Sequence, residues 1–137
     1  MEPVIELAGV RTAIDIGANV GWFSFALADR GIRTIALERE PRYLRTILYL
    51  RARADHDRVA LLVSDLTTET VHVLPSVDCC VFLSVWHHMV REHGLDAASA
   101  ILRALWEHRP FDQLPLATPS LFVMARPDEA EEVRGLL

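Results

Sequence analysis

The sequence predicts an α/β fold, a doubly wound and mostly parallel sheet in a single domain over residues 1–137. Two observations carry that reading. Strand-like and helix-like stretches alternate from residue 11 onward, the pattern of a parallel sheet covered on both faces. The first strand also runs straight into a glycine turn, Asp15-Ile16-Gly17-Ala18-Asn19-Val20-Gly21, and then into a helix. That junction brings backbone N–H groups close to a bound polar ligand.

Residues 11–16 make the first strand, with β-branched Thr12, Ile14 and Ile16 in alternation. Residues 20–30 make a helix carrying Val20, Phe23, Phe25, Ala26 and Leu27, stopped by Gly31. A second strand over 32–37 ends at Glu38. Pro41 then suits the first turn of a helix whose buried stripe is Leu44, Ile47 and Leu48. Residues 59–63 and 77–83 are the third and fourth strands. Between them, 65–76 is irregular, with 71–74 as a candidate short strand. Asp96 is the expected N-cap of a helix lined by Ala98, Ile101, Leu102 and Leu105 and closed by Pro110. A proline-bearing loop over 109–119 leads to a fifth strand, 120–125, and a terminal helix over 128–137.

Hydrophobic residues make up 51% and charged residues 24% of the chain, the balance of a folded globular domain rather than a disordered one. No apolar run approaches the roughly 20 residues that span a bilayer. Residues 1–11 carry two glutamates where a signal peptide would be basic and then apolar. A cytoplasmic protein with no membrane partner is expected. The net charge of −5 gives no basic footprint for nucleic acid, and Arg39, Arg42, Arg45, Arg51 and Arg53 read as a solvated helix face. All fourteen basic residues are arginine, which excludes a Schiff-base lysine and a P-loop lysine in this chain. Adjacent Cys79 and Cys80 form no C-x-x-C pair and read as buried apolar residues in a reducing compartment.

Ligands bind a doubly wound sheet at the carboxyl ends of its strands, so the chemistry is sought after each strand. After the first come Asp15, Gly17, Ala18, Asn19 and Gly21. Glycine, and Asn more readily than most residues, adopts positive φ and lets the backbone approach a ligand. A dinucleotide fingerprint needs G-x-G-x-x-G, but Asn19 stands where its middle glycine would be. After the second strand comes Glu38, about twenty residues beyond Gly17, the register of an acid that accepts ribose hydroxyls. After the third comes Ser64-Asp65-Leu66, with a turn or cap aspartate as the bland alternative. After the fourth come Trp86, His87, His88 and His93, where a histidine can serve as general base or merely partner the loop backbone. The spacing of His87, His88 and His93 does not put them on one helical face, so no metal is expected. Trp22 opens the first helix and is a candidate wall of an acceptor pocket.

Taken in order, Asp15 to Gly21, Glu38, Asp65 and Ser84-Val85-Trp86-His87-His88 resemble the cofactor loops of class I methyltransferases that use S-adenosylmethionine (SAM). The stretch 84–94 resembles bacterial methyltransferases acting on sugars, polysaccharide ends or related small acceptors. The resemblance covers residues 11–125. It implies SAM held by Asp15, Gly17, Ala18, Asn19, Gly21, Glu38, Asp65, Leu66 and Ser84, with Asp65 accepting from the adenine amino group. It further implies SN2 methyl transfer to a small-molecule or saccharide hydroxyl, with His87 or His88 as base and Trp22, Trp86 and His93 lining the acceptor site. No Asn-Pro-Pro-Tyr or Asp-Pro-Pro-Tyr motif follows the fourth strand, which argues against an adenine or glutamine amino acceptor. No Pro-Cys pair supplies a cytosine C5 nucleophile.

The family core usually has seven strands, and this sequence supplies five. The C-terminal strands are therefore expected to be missing, and the fifth-strand edge to be covered by a second copy or a partner chain, since exposed apolar edges invite pairing. The competing expectation is a SAM-binding pseudoenzyme or regulatory subunit without turnover. A nicotinamide oxidoreductase is disfavoured by the glycine spacing and by the lack of a Tyr-x-x-x-Lys pair.

Overall fold

Alternation along β1 (Thr12–Ile16) sends Ile14 and Ile16 to one face of the sheet and Ala13 and Asp15 to the other. The computed structural model describes residues 10–54, 57–75, 77–83, 85–107 and 120–124. After β1 come α1 (Trp22–Asp29), β2 (Arg33–Glu38), α2 (Pro41–Ala54) and β3 (Val59–Val63). A 3-10 turn (Thr70–Val73), β4 (Cys79–Leu83), α3 (Trp86–His93), α4 (Leu95–Glu107) and β5 (Ser120–Met124) complete the order. The five strands form one sheet in the order β3-β2-β1-β4-β5, and every pair is parallel. The chain winds outward from β1 through β3 and then returns to lay β4 beside β1. The strand order therefore reverses between β1 and β4, the place where such sheets open a ligand crevice.

Both faces of the sheet are covered. Ile14, Ile16, Phe82, Trp86, Met89, Ile101 and Leu102 form the cluster under α3 and α4. On the other face Ala13, Leu27 and Val81 form one cluster, and Ala28, Ala36, Ile47 and Val59 a second, under α1 and α2. Each large buried side chain, such as Phe82 or Ile101 at 0% exposure, contributes about 1.5–3 kcal/mol. Asp78 ties the sheet together at its lower end. Its Oδ2 accepts the N–H groups of Arg11 at 2.8 Å and Thr12 at 3.0 Å, joining the approach to β4 to the start of β1.

Several expectations change. The stretch 71–74 is a 3-10 turn and not a strand. The hydroxyl of Thr70 accepts the Thr67 N–H at 2.8 Å, and that of Thr67 accepts the Thr70 N–H at 3.0 Å, which coils the chain before it can extend. Residues 86–93 form a helix, α3, which Gly94 ends at φ 83° while donating to Val90 O at 2.9 Å. The next helix begins at Leu95, so Asp96 lies in its first turn and is not its N-cap. Arg39 precedes α2 and pairs with acids across the cleft, so it does not belong to the solvated face that Arg42, Arg45 and Arg53 occupy. The loop over 109–119 and the terminal helix over 128–137 lie outside the described residues. No helix among the described residues is long and apolar enough to cross a membrane.

Candidate functional site

The turn after β1 takes its shape from three positive-φ residues: Gly17 at 65°, Asn19 at 57° and Gly21 at 85°. Asn19 is the only non-glycine residue in that conformation among the described residues, as its short amide allows. At Gly17 a Cβ would lie 3.0 Å from Val85 Cγ2, so the turn runs close under the segment leaving β4. At Gly21 it would lie 2.9 Å from the Phe25 ring and 3.2 Å from Ile47. The turn is bonded inward to β2: Ala18 N–H donates to Leu37 O at 3.0 Å, and Asn19 N–H to Glu38 Oε2 at 2.8 Å. These two N–H groups are thus spent within the fold and are not aimed at a ligand.

Glu38 is 8% exposed and clamps this corner. Its Oε1 accepts the N–H groups of Arg39 at 2.8 Å and Glu40 at 2.9 Å, while Oε2 accepts Asn19. An ionised carboxylate has about four acceptor positions. Three are taken, leaving one on Oε2, so Glu38 has room for one ligand hydroxyl. Asp15 is 3% exposed, and its Oδ2 accepts the Ser24 hydroxyl at 2.8 Å. Burial pushes its carboxyl up to about 6, against the opposing pull of the Ser24 hydrogen bonds.

Asp65 leaves β3 with Oδ1 accepting the Leu66 N–H at 2.9 Å and Oδ2 accepting Arg39 Nη1 at 2.9 Å. Its carbonyl accepts the hydroxyls of Ser64 at 2.9 Å and Thr70 at 2.8 Å, which fixes the turn. On α3, His87 is half-buried and His88 exposed, with ring centroids 4.0 Å apart.

One cleft of about 630 Å3 joins these groups. Of the residues singled out in the sequence, Asp15, Gly17, Ala18, Asn19, Trp22, Glu38, Asp65, Leu66, His87, His88 and His93 line it. Gly21 is not among its lining residues; its Cβ position faces Phe25 and Ile47. Trp86 does not reach the cleft: it is 1% exposed within the core cluster, so the proposed acceptor-wall role gives way to packing. Its Nε1 has no hydrogen-bond acceptor among the described residues. Ser84 lies outside the described residues. Sequence reasoning missed Arg39 and Glu92, both of which line the cleft. Val20 and Trp22 also border a second, largely apolar groove of about 640 Å3 with Phe25, Ala26 and Leu50.

This arrangement of sheet order, glycine turn and strand-end acids is the class I methyltransferase fold. No protein-family model matches the chain. Among curated proteins it is 26% identical over 125 residues to the O-antigen chain terminator bifunctional methyltransferase/kinase WbdD of Escherichia coli, covering 88% of this chain. The chain spans 18% of that relative's length. A crystal structure of monomeric WbdD superposes with a TM-score of 0.63 at 25% identity, over 69% of this chain and 23% of that one. The precorrin 8w decarboxylase of Methanobacterium thermoautotrophicum superposes with a TM-score of 0.67 at 20% identity, over 98% of this chain and 66% of that one. The N-terminal domain of EvdMO1, solved with SAH bound, gives 0.61 at 21% identity, over 74% of this chain and 40% of that one.

Proposed function

We propose that this chain is the cofactor-binding and catalytic core of a SAM-dependent methyltransferase acting on a hydroxyl of a saccharide or other small acceptor. The observation that carries the reading is the convergence of the glycine turn, Glu38 and Asp65, from the ends of β1, β2 and β3, on one cleft with His87 and His88. The cleft volume suits a nucleoside cofactor, and the spare acceptor position on Glu38 Oε2 suits one ribose hydroxyl. The SAH bound to EvdMO1 supports SAM as the cofactor. The O-antigen chain-terminating role in the name of the E. coli relative supports a saccharide acceptor.

SAM, when bound, supplies a methyl group on a sulfonium whose departure as a neutral thioether drives the transfer. The chain's own work is then alignment and one proton. His87 or His88 would take the proton from the acceptor hydroxyl. Trp22 is 74% exposed between the cleft and the apolar groove, and its indole face suits the C–H face of a sugar ring. His87→Ala and His88→Ala test the base. Loss of turnover with unchanged SAH affinity in one of them is expected; full turnover in both removes the histidines from the chemistry.

The reading extends to a second copy or partner chain along β5, which is, with β3, one of the two edge strands of the sheet among the described residues. Sedimentation of the purified chain is expected to show a dimer, and a monomer at high concentration counts against a second copy. The reading includes a cytoplasmic location, which the free, buried thiols of Cys79 and Cys80 support.

A further inference from the structure

We propose that Arg39 latches the adenine end of the cleft and, by pairing with Asp65, opposes the seating of the cofactor. The inference rests on the SAM reading above. On that reading Asp65, which lines the cleft, is the acceptor for the adenine amino group. Its Oδ1 is held by the Leu66 N–H and its Oδ2 by Arg39 Nη1, both at 2.9 Å. The other guanidinium nitrogen, Nη2, donates to Glu92 Oε1 on α3. A single side chain from the end of β2 thus ties the end of β3 to the helix that carries His87 and His88.

The chemistry of the guanidinium explains how this works. It is planar and presents five donors in a fixed fork, so it holds carboxylates on two separate elements at once, where a lysine would act as a point charge. Asp65, Glu92 and His93 place their ligand atoms within 4.8 Å of one another, a spacing that favours a cation. Arg39 is the resident cation there. The adenine amino group and the guanidinium are both donors, and a carboxylate already paired with a guanidinium is a weaker acceptor for a second donor, so Arg39 opposes adenine at Asp65 although about two of its four acceptor positions are open. Arg39 is 49% exposed and both acids 38% exposed, which keeps the pairs weak enough to open and sensitive to salt. Cofactor binding then favours opening of the Arg39 pair and loosens one tie between α3 and Asp65, while His93 on α3 keeps its Nε2 4.0 Å from Asp65 Oδ2.

Calorimetric titration of the whole chain with S-adenosylhomocysteine, which has no net charge, tests this at about 20 and about 300 mM NaCl. The wild type is expected to bind more tightly at the higher salt, because screening loosens the latch. Arg39→Ala is expected to bind about threefold more tightly at low salt and to lose the salt response. Glu92→Gln moves the same way by a smaller factor and guards against a fold defect in the first variant. If the wild type binds while both variants bind equally or more weakly, the latch is overturned and the cofactor reading stands. If none of the three binds, the cofactor reading falls and takes the latch with it.

Discussion

Asp15 and Glu38 are the two residues where burial and ligand chemistry meet most directly. The Asp15 carboxyl is pushed from 3.8 to about 6 by desolvation. Between those values the folded chain binds more protons than the unfolded one, so stability falls as pH rises through that window and is level above it. The shift corresponds to about 3 kcal/mol. Asp15→Asn removes the titration and keeps an acceptor for Ser24. Urea unfolding should therefore show the variant gaining on the wild type from pH 4 to pH 7; parallel pH profiles would mean that Asp15 ionises normally. A cationic cofactor favours the ionised carboxylate, so SAM affinity should rise through about pH 6 in the wild type alone. Glu38 differs because its carboxylate holds three backbone N–H groups. Glu38→Ala should lower both ligand-free stability and SAH affinity, each by about 1–3 kcal/mol. A melting temperature equal to the wild type's would contradict the clamp.

Among the elements, the turn between β1 and α1 shows how tightly a short segment is specified. At Gly21, positive φ coincides with a Cβ position in contact with Phe25 and Ile47. Gly31 has a similar φ, 83°, but nothing within 4 Å of its Cβ position. Gly21→Ala should cost roughly 2–4 kcal/mol from strain plus overpacking, and Gly31→Ala roughly 1–2 from strain alone. Denaturant titration of the two variants separates these costs, and equal losses would show that packing around Phe25 does not constrain the turn. The turn was legible in the sequence because glycine at fixed spacing records a backbone need. Helix α3 was not. Its buried residues, Trp86 and Met89, stand at helical spacing, but the histidines between and beside them drew the reading toward a catalytic loop. Asp96 misled for a related reason: Gly94 itself occupies the cap position, two residues before Asp96, and its carbonyl accepts the Ala98 N–H at 3.0 Å.

For the molecule as a whole, the order of strands and helices was readable because a parallel sheet buried on both faces writes continuous apolar runs separated by turns. The positions of Asp15, Glu38 and Asp65 at strand ends followed from that order. Contacts between distant parts left no such trace. Arg39 reads as one more surface arginine until the fold brings Asp65 and Glu92, 26 and 53 positions away, to its guanidinium. Trp86 was lost to the core for the same reason, since only the packing of α3 against the sheet decides which way an aromatic side chain turns.

The central claim, that the cleft at the β1/β4 reversal is a SAM site, is tested most directly by calorimetric titration of the purified chain with S-adenosylhomocysteine and, in parallel, with NAD. Saturable one-to-one binding of S-adenosylhomocysteine, weakened by Glu38→Ala, with no heat from NAD is the expected result. Binding of NAD in preference, or S-adenosylhomocysteine binding that ignores Glu38, would contradict it.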